Sequence, residues 1–389
     1  MTSDFNRSDE FSDGLGGVKL QCSISGDLLN TNIYYKFDES YELFLTSDRL
    51  DAFLVALLPY LMYRSSDSEP LELHCKAPIS EKLFFQITQD FIPTITHELS
   101  CWYNPIKIHS DTTKTAFTPT GVGTGVSGGV DSFFTLLKSR NEFQSGYKVT
   151  HGIYYTVETR KDYEDSELKF ISKISQELGL DLIHVETNII GSVYESGHDA
   201  IISYFNASVP LTLQSLLKAY YISSTYTYSE FEFVTYVASH VDLFLAHCFS
   251  NENVSLYSYG SFADRTEKTD YISNDELVQN YLYVCSSALD GKNCSKCAKC
   301  TRTMLDLEVL GKLDVFSNVF DVKKLRESPN YYWGYLFFKG KKEPFVKSTL
   351  KMAQKKGYKI PIMARLSGLI KIIKKGFKRS NPYKYSFRP

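Results

Sequence analysis

No apolar run in this chain is long enough to cross a bilayer. The longest, Ala52 to Tyr63, is interrupted by Pro59, whereas a helical span needs about 20 residues. The first residues, through Gly16, are polar and acidic and have no apolar stretch of the kind a secretory signal requires. These absences predict a cytoplasmic protein with no transmembrane segment. Internal repeats and low-complexity blocks are also missing. There is no excess of one charge: 43 Lys and Arg stand against 45 Asp and Glu, for a net charge of −2. That balance argues against a uniformly basic nucleic-acid binder. With 389 residues, 43% hydrophobic and 23% charged, the chain is expected to form two to three globular domains with a core that needs no staples.

The near-zero sum hides two unlike parts. From Lys339 to Pro389 there are 16 Lys or Arg and one acid, Glu343, so this tail carries +15 and the remainder −17. Such asymmetry is typical of interaction tails. Within the tail, Ile362, Leu366, Leu369, Ile370, Ile373 and Phe377 fall on one helical face, with Lys371, Lys374, Lys375 and Lys378 largely opposite. Docking on the acidic body, binding nucleic acid or a partner protein, and lying on an anionic membrane are the competing readings.

Periodicity divides the rest. Residues 1–115 read as a small α+β domain: a hairpin of Val18–Ser25 and Asn32–Phe37, a helix over Arg49–Arg64, a strand at Leu71–Cys75, a helix from Ser80 to about Leu99, and a strand at Ile106–His109. Thr112–Thr120 reads as a linker. Residues 116–330 alternate: strands at Gly121–Val126, Thr150–Val157, Leu182–Thr187 and Val254–Tyr259, and helices at Val130–Ser139, Glu164–Leu178 and Leu211–Tyr226. Alternation of this kind predicts an α/β fold with a doubly wound parallel sheet, ligands binding beyond the strand C-terminal ends. Residues 331–389 form an aromatic, then basic, extension.

Chemistry concentrates in Ser127-Gly128-Gly129-Val130-Asp131-Ser132, which follows a strand and opens a helix. Glycines admit an anion close to the backbone, and a helix N-terminus offers free N–H groups. Asp131 would repel phosphate, so a Mg²⁺ bridge or a hydrogen bond back into the loop is expected there. The loop is neither a Walker-A motif nor a G-x-G-x-x-G fingerprint.

Eight cysteines include a C-x8-C-x2-C-x2-C cluster: Cys285, Cys294, Cys297 and Cys300. Four thiolates at this spacing suit a closed, structural Zn²⁺ site, with Lys292, Lys296 and Lys299 offsetting its charge. An iron–sulfur cluster and a redox dithiol are the alternatives.

All six loop positions match the S-G-G-x-D-S loop of the N-type ATP pyrophosphatases (the PP-loop superfamily), which the chain therefore resembles. The cysteine cluster about 150 residues on, followed by Arg302, is similar to the 7-cyano-7-deazaguanine synthase branch. The likeness covers roughly Gly121 to Gly311. It implies an adenine nucleotide α-hydrolase-like fold and cleavage of ATP to AMP and pyrophosphate with Mg²⁺, activating a carboxylate or amide for amide or nitrile formation. A 7-deazaguanine-type substrate is expected. By the resemblance, Ser127, Gly128, Gly129, Val130, Asp131 and Ser132 cradle phosphate. Tyr154, Tyr155 and Thr156, with Thr187 and Asn188, lie near adenosine, and Lys268, then Arg265, hold the leaving pyrophosphate. Asp131, Ser132, Lys268 and Arg265 form the catalytic set. The extra N-terminal part and basic tail suit a divergent member, as found in bacterial antiviral defence or modification gene clusters. No N-terminal cysteine nucleophile follows Met1, so ammonia, if used, comes from solution or a separate subunit. A homodimer is a candidate assembly. A tRNA-thiolating enzyme, drawing its reactive thiol from Cys22, Cys75, Cys101 or Cys248, and a non-catalytic nucleotide-binding subunit are the other readings.

Overall fold

The structure, a computed structural model, describes residues 2–8, 17–157, 164–194, 198–285, 292–339 and 343–369. The later half of the predicted amphipathic tail segment, from Ile370 on, lies outside them.

Ten strands make one sheet: β1 (Thr2–Ser8), β2 (Val18–Ser25), β3 (Thr31–Phe37), β4 (Leu71–Cys75), β5 (Ile106–His109), β6 (Gly121–Gly125), β7 (His151–Val157), β8 (Asp181–Thr187), β9 (Leu217–Ser223) and β10 (Ser255–Tyr259). Their spatial order is β10-β9-β6-β7-β8-β3-β2-β1-β4-β5. From β10 to β8 every neighbouring pair is parallel. The junction β8–β3 and the pairs β3–β2 and β2–β1 are antiparallel, and β1–β4 and β4–β5 are parallel again. The fold is therefore mixed α/β with a mostly parallel sheet. β6 lies between β7, the next strand in the chain, and β9, the third after it, so the chain builds to one side of β6 through β7 and β8 and then crosses to its other side for β9 and β10. Such a reversal opens a crevice at the strand C-terminal ends.

The principal helices are α1 (Asp51–Arg64), α2 (Val130–Glu142), α3 (Glu164–Glu177), α4 (His198–Leu211), α5 (Asp242–Phe249), α6 (Arg265–Ile272), α7 (Ala298–Val309) and α8 (Pro344–Lys355). α1 is apolar nearly all round and buries Phe53, Leu54, Val55, Leu57, Leu58 and Leu61. A helix of that kind needs cover on every side, and α4 supplies part of it. One apolar core joins β2, β3 and α1 to β8, β9, α4 and α5. A second gathers α2, α7, the cysteine cluster and α8.

A buried polar network fastens the first core. Asp51 accepts from Ser80 N at 2.8 Å, from Gln214 Nε2 at 2.9 Å and from Asn251 Nδ2 at 2.9 Å. Asn251 Nδ2 also donates to Gln214 Oε1 at 2.7 Å. Buried polar groups satisfied in this way specify one arrangement of the elements they join. The Thr112–Thr120 stretch is tied down too: Thr112–Thr113 pairs with Ile79–Ser80, and Phe117 N donates to Asn253 Oδ1 at 2.7 Å.

Most expected elements fall where periodicity puts them. The exception is Leu211–Tyr226, expected as a helix. Its centre is strand β9, and the helix is α4, which ends at Leu211. β9 lies between β6 and β10 and buries Leu217, Ala219, Tyr220, Tyr221 and Ile222. A strand covered on both faces reads as a continuous apolar run, which periodicity does not separate from a buried helix. The expected helix from Ser80 also carries a π turn, at Ile87–Phe91.

Candidate functional site

The glycine loop joins β6 to α2 at the crevice. Close packing makes its strand glycine-rich: a Cβ on Gly121 would stand 2.8 Å from Leu216 O. Gly128 has φ +68°, a conformation that L side chains rarely adopt, and a Cβ there would meet the Phe170 ring at 2.9 Å. The loop's hydroxyls are partly engaged in shaping it. Ser132 Oγ donates to Gly125 O at 2.9 Å and accepts from Ser127 N at 3.2 Å. Ser127 Oγ accepts from Gly129 N at 3.4 Å.

Asp131 lies in the first turn of α2 and turns towards α6. Its carboxylate pairs with Arg265 Nη1, and Lys268 Nζ lies 3.6 Å from Oδ1. Both cations come from α6, which Asp264 caps by accepting from Thr266 N and Glu267 N. The two differ in access. Lys268 is fully buried and donates to Ser224 O at 2.6 Å and Ser224 Oγ at 3.1 Å. Desolvation lowers its ammonium pKa, and Asp131 acts against that fall. Arg265, in contrast, lines the cleft. The sequence ranked Lys268 first, whereas the structure puts Arg265 at the surface a ligand would meet.

The cleft has a volume of about 560 Å³ and is bordered by Ser127, Gly129, Val130, Asp131 and Ser132 of the loop. Tyr154 and Tyr155 also line it. Tyr154 Oη donates to Glu167 Oε2 at 2.8 Å, and the Tyr155 ring meets Phe205 edge-on at 4.6 Å. Thr156 is buried against His184 Nε2 at 2.9 Å. Thr187 Oγ1 accepts from Ile189 N at 3.3 Å. Asn188 is not part of the cleft lining. Its amide accepts from Tyr34 N at 2.9 Å and donates to Asn32 O at 2.8 Å, bracing β3.

Several cleft residues were not singled out as ligand contacts in the sequence. Arg302 stacks over the Phe345 ring at 3.9 Å and lies 3.6 Å from Glu343. Its Nε is buried without a hydrogen-bond partner among the described residues. Lys299 lines the cleft, where partial burial of its ammonium group, together with Arg265 and Arg302, lowers its pKa. Phe345 opens α8, so the extension beyond residue 331 contributes to the cleft wall. The signal for Lys299 and Arg302 was their place in the cysteine cluster: Lys299, expected to offset its charge, lies between Cys297 and Cys300, and Arg302 follows Cys300 by two residues.

Asp242, at the start of α5, also faces the cleft, and its Oδ1 is buried without a hydrogen-bond partner among the described residues. Burial pushes its carboxyl up to about 7, while the Ser203 hydroxyl and Lys268 act against that rise. A carboxyl raised in the folded state binds a proton that the unfolded chain, near 3.9, has already released. Its contribution is thus most favourable below about pH 4 and is lost as pH rises to about 7. Asp242→Asn is expected to stabilise the protein at pH 8 by on the order of 2–4 kcal/mol, with the gain vanishing towards pH 4. Thermal melts of both proteins across this range check it.

The four cysteines sit beside the cleft, which Cys285 lines. The ligand atoms lie within 4.8 Å of one another. Sulfur separations are 4.0 Å for Cys285–Cys297, 3.9 Å for Cys294–Cys300 and 3.4 Å for Cys297–Cys300. Tetrahedral thiolates at about 2.3 Å from an ion stand roughly 3.8 Å apart, so the four can hold a metal ion. Backbone N–H groups point at the sulfurs: Lys296 N and Cys297 N donate to Cys294 Sγ at 3.4 and 3.3 Å, and Cys294 N to Cys285 Sγ at 3.4 Å. Ser295, at φ 59°, makes the tight turn between the first two closely spaced cysteines. Among the described residues no helix is long and apolar enough to cross a membrane.

No protein-family model matches this chain and no curated protein matches its sequence, so a reading of the site rests on its own geometry.

Proposed function

We propose that this chain is an ATP-dependent adenylating enzyme of the PP-loop type, splitting ATP into AMP and pyrophosphate to activate a carboxylate or amide. The observation that carries the reading is the Ser127–Ser132 loop. It follows a parallel strand at the point where the connections reverse, opens a 13-residue helix, and carries Arg265 beside it at the cleft through the Asp131 ion pair. The strand order β8-β7-β6-β9-β10 suits the doubly wound sheet of this class.

In this reading the loop N–H groups receive phosphate oxygens, and Arg265 neutralises charge developing on the departing pyrophosphate. Asp131 holds Arg265 in place, and Lys268 shares the same carboxylate. Tyr154 and Tyr155 border the adenosine end, and Arg302 and Lys299 add positive charge along the cleft. Mg²⁺ would supply further neutralisation of the triphosphate. The substrate carboxylate attacks the α-phosphorus and expels pyrophosphate; the acyl group of the resulting acyl-adenylate then passes to an amine, and AMP leaves. Zn²⁺ in the cysteine cluster is read as structural, because four protein ligands close its coordination. The tRNA-thiolation reading needs a thiol at the cleft, and Cys22, Cys75, Cys101 and Cys248 are absent from its described lining. A 7-deazaguanine carboxylate remains the first acid to try.

The test is incubation with ATP, Mg²⁺ and a panel of acids including that one, with products resolved by chromatography. AMP and pyrophosphate, dependent on one acid, are expected. ADP and phosphate would overturn the proposal.

A further inference from the structure

A second constellation of metal-ligating side chains lies at the other end of the sheet from the glycine loop. β4 and β5 run parallel, with Glu72 opposite Lys107 and His74 opposite His109. Leu73 and Ile108, one residue out of phase, belong to the apolar side: Leu73 is in the core and Ile108 packs against it. The sheet's two-residue period therefore puts Glu72, His74, Lys107 and His109 on the opposite face.

There the two imidazoles stack with centroids 4.4 Å apart and planes 8° from parallel. Both bring Nε2 near the same carboxylate oxygen: Glu72 Oε2 is 3.8 Å from His74 Nε2 and 3.5 Å from His109 Nε2. The other oxygen, Oε1, accepts from Lys107 Nζ at 3.2 Å. All three side chains are about half accessible to solvent, at 47 to 50%.

We propose that Glu72, His74 and His109 form a solvent-open binding site for a borderline divalent transition ion such as Zn²⁺, Co²⁺ or Ni²⁺. Three atoms bound at about 2.0–2.2 Å around a tetrahedral ion stand roughly 3.3–3.6 Å apart, close to the two Nε2–Oε2 separations. Two imidazole nitrogens and one carboxylate oxygen suit these ions and disfavour Mg²⁺ and Ca²⁺, which prefer oxygen. Three protein ligands leave coordination positions for water or for a group from outside the chain. Lys107 competes with the ion for Glu72.

The test uses the full chain with its cysteine cluster first loaded with one equivalent of Zn²⁺ and no free zinc remaining. Calorimetric titration with Ni²⁺ is then run on the wild type and on His74→Ala, His109→Ala and Lys107→Ala. One further equivalent is expected in the wild type. Either histidine variant should weaken it roughly tenfold or more, and Lys107→Ala should tighten it. The cysteine-bound zinc, measured in each variant, reports whether the fold is intact. Co²⁺ in this site should lack the sulfur-to-metal absorption that a thiolate site produces. Unchanged Ni²⁺ binding in the zinc-replete double variant His74→Ala/His109→Ala, or no additional equivalent in the wild type, would overturn the proposal. Neither result bears on the ATP chemistry.

Discussion

Arg265→Ala is expected to lower the rate of AMP formation by about 10³-fold, in the range seen when one charge-stabilising donor is removed from an active site. Arg265 is the α6 cation that both lines the cleft and pairs with Asp131. Its loss removes positive charge where the pyrophosphate would develop its negative charge. The fold should tolerate the change, because Asp131 keeps Lys268 at 3.6 Å. The same chain should therefore melt near the wild-type temperature while kcat falls. Asp131→Ala should be equally damaging for a different reason: it frees Arg265 and leaves the fully buried Lys268 without its carboxylate. Leaving a buried charge unpaired costs several kcal/mol, so this variant should lose stability as well as activity. Rates of radiolabelled pyrophosphate release, with melting curves, separate the two. An Arg265→Ala enzyme with wild-type kcat would sink the assigned role.

The second large effect concerns the cysteine cluster. Cys297→Ser, or prolonged chelation, should release about one ion per chain and lower the melting temperature by roughly 10 °C or more, since a structural site contributes folding free energy directly. Elemental analysis identifies the ion: zinc alone supports the structural reading, and iron with sulfide would replace it. A secondary effect follows from chain position. Cys297 caps α7 by accepting from Cys300 N, and Lys299 and Arg302 leave the same first turns toward the cleft. Losing the ion should thus also weaken ATP binding, by about tenfold, even at temperatures where the sheet is intact. Equilibrium binding of a fluorescent ATP analogue measures it.

Much of this was legible in the sequence, for identifiable reasons. The glycine loop and the four cysteines are local patterns, in which the chemistry is carried by neighbours in the chain. β4 and β5, at Leu71–Cys75 and Ile106–His109, fall on the expected residues, because half-buried strands alternate. What escaped depends on burial and on long-range approach. β9 hid its period by being covered on both faces. Asn188 sits at the end of β8 as expected, yet its amide is spent on β3, more than 150 residues earlier. Arg302, Lys299, Asp242 and Phe345 reach the cleft from three separate helices, and no spacing rule connects them.

The β8–β3 junction bears on how the chain is made. Glu186 and Thr187 pair with Lys36 and Tyr35, so the first hairpin must wait for some 150 further residues before it meets its neighbour in the sheet. Closing so long a loop is slow relative to local structure. During synthesis at about 5–20 residues per second, β3 would spend roughly 8–30 seconds with one edge unpaired. The N-terminal segment is thus the natural place for a chaperone to act, and for aggregation to begin when synthesis outruns folding.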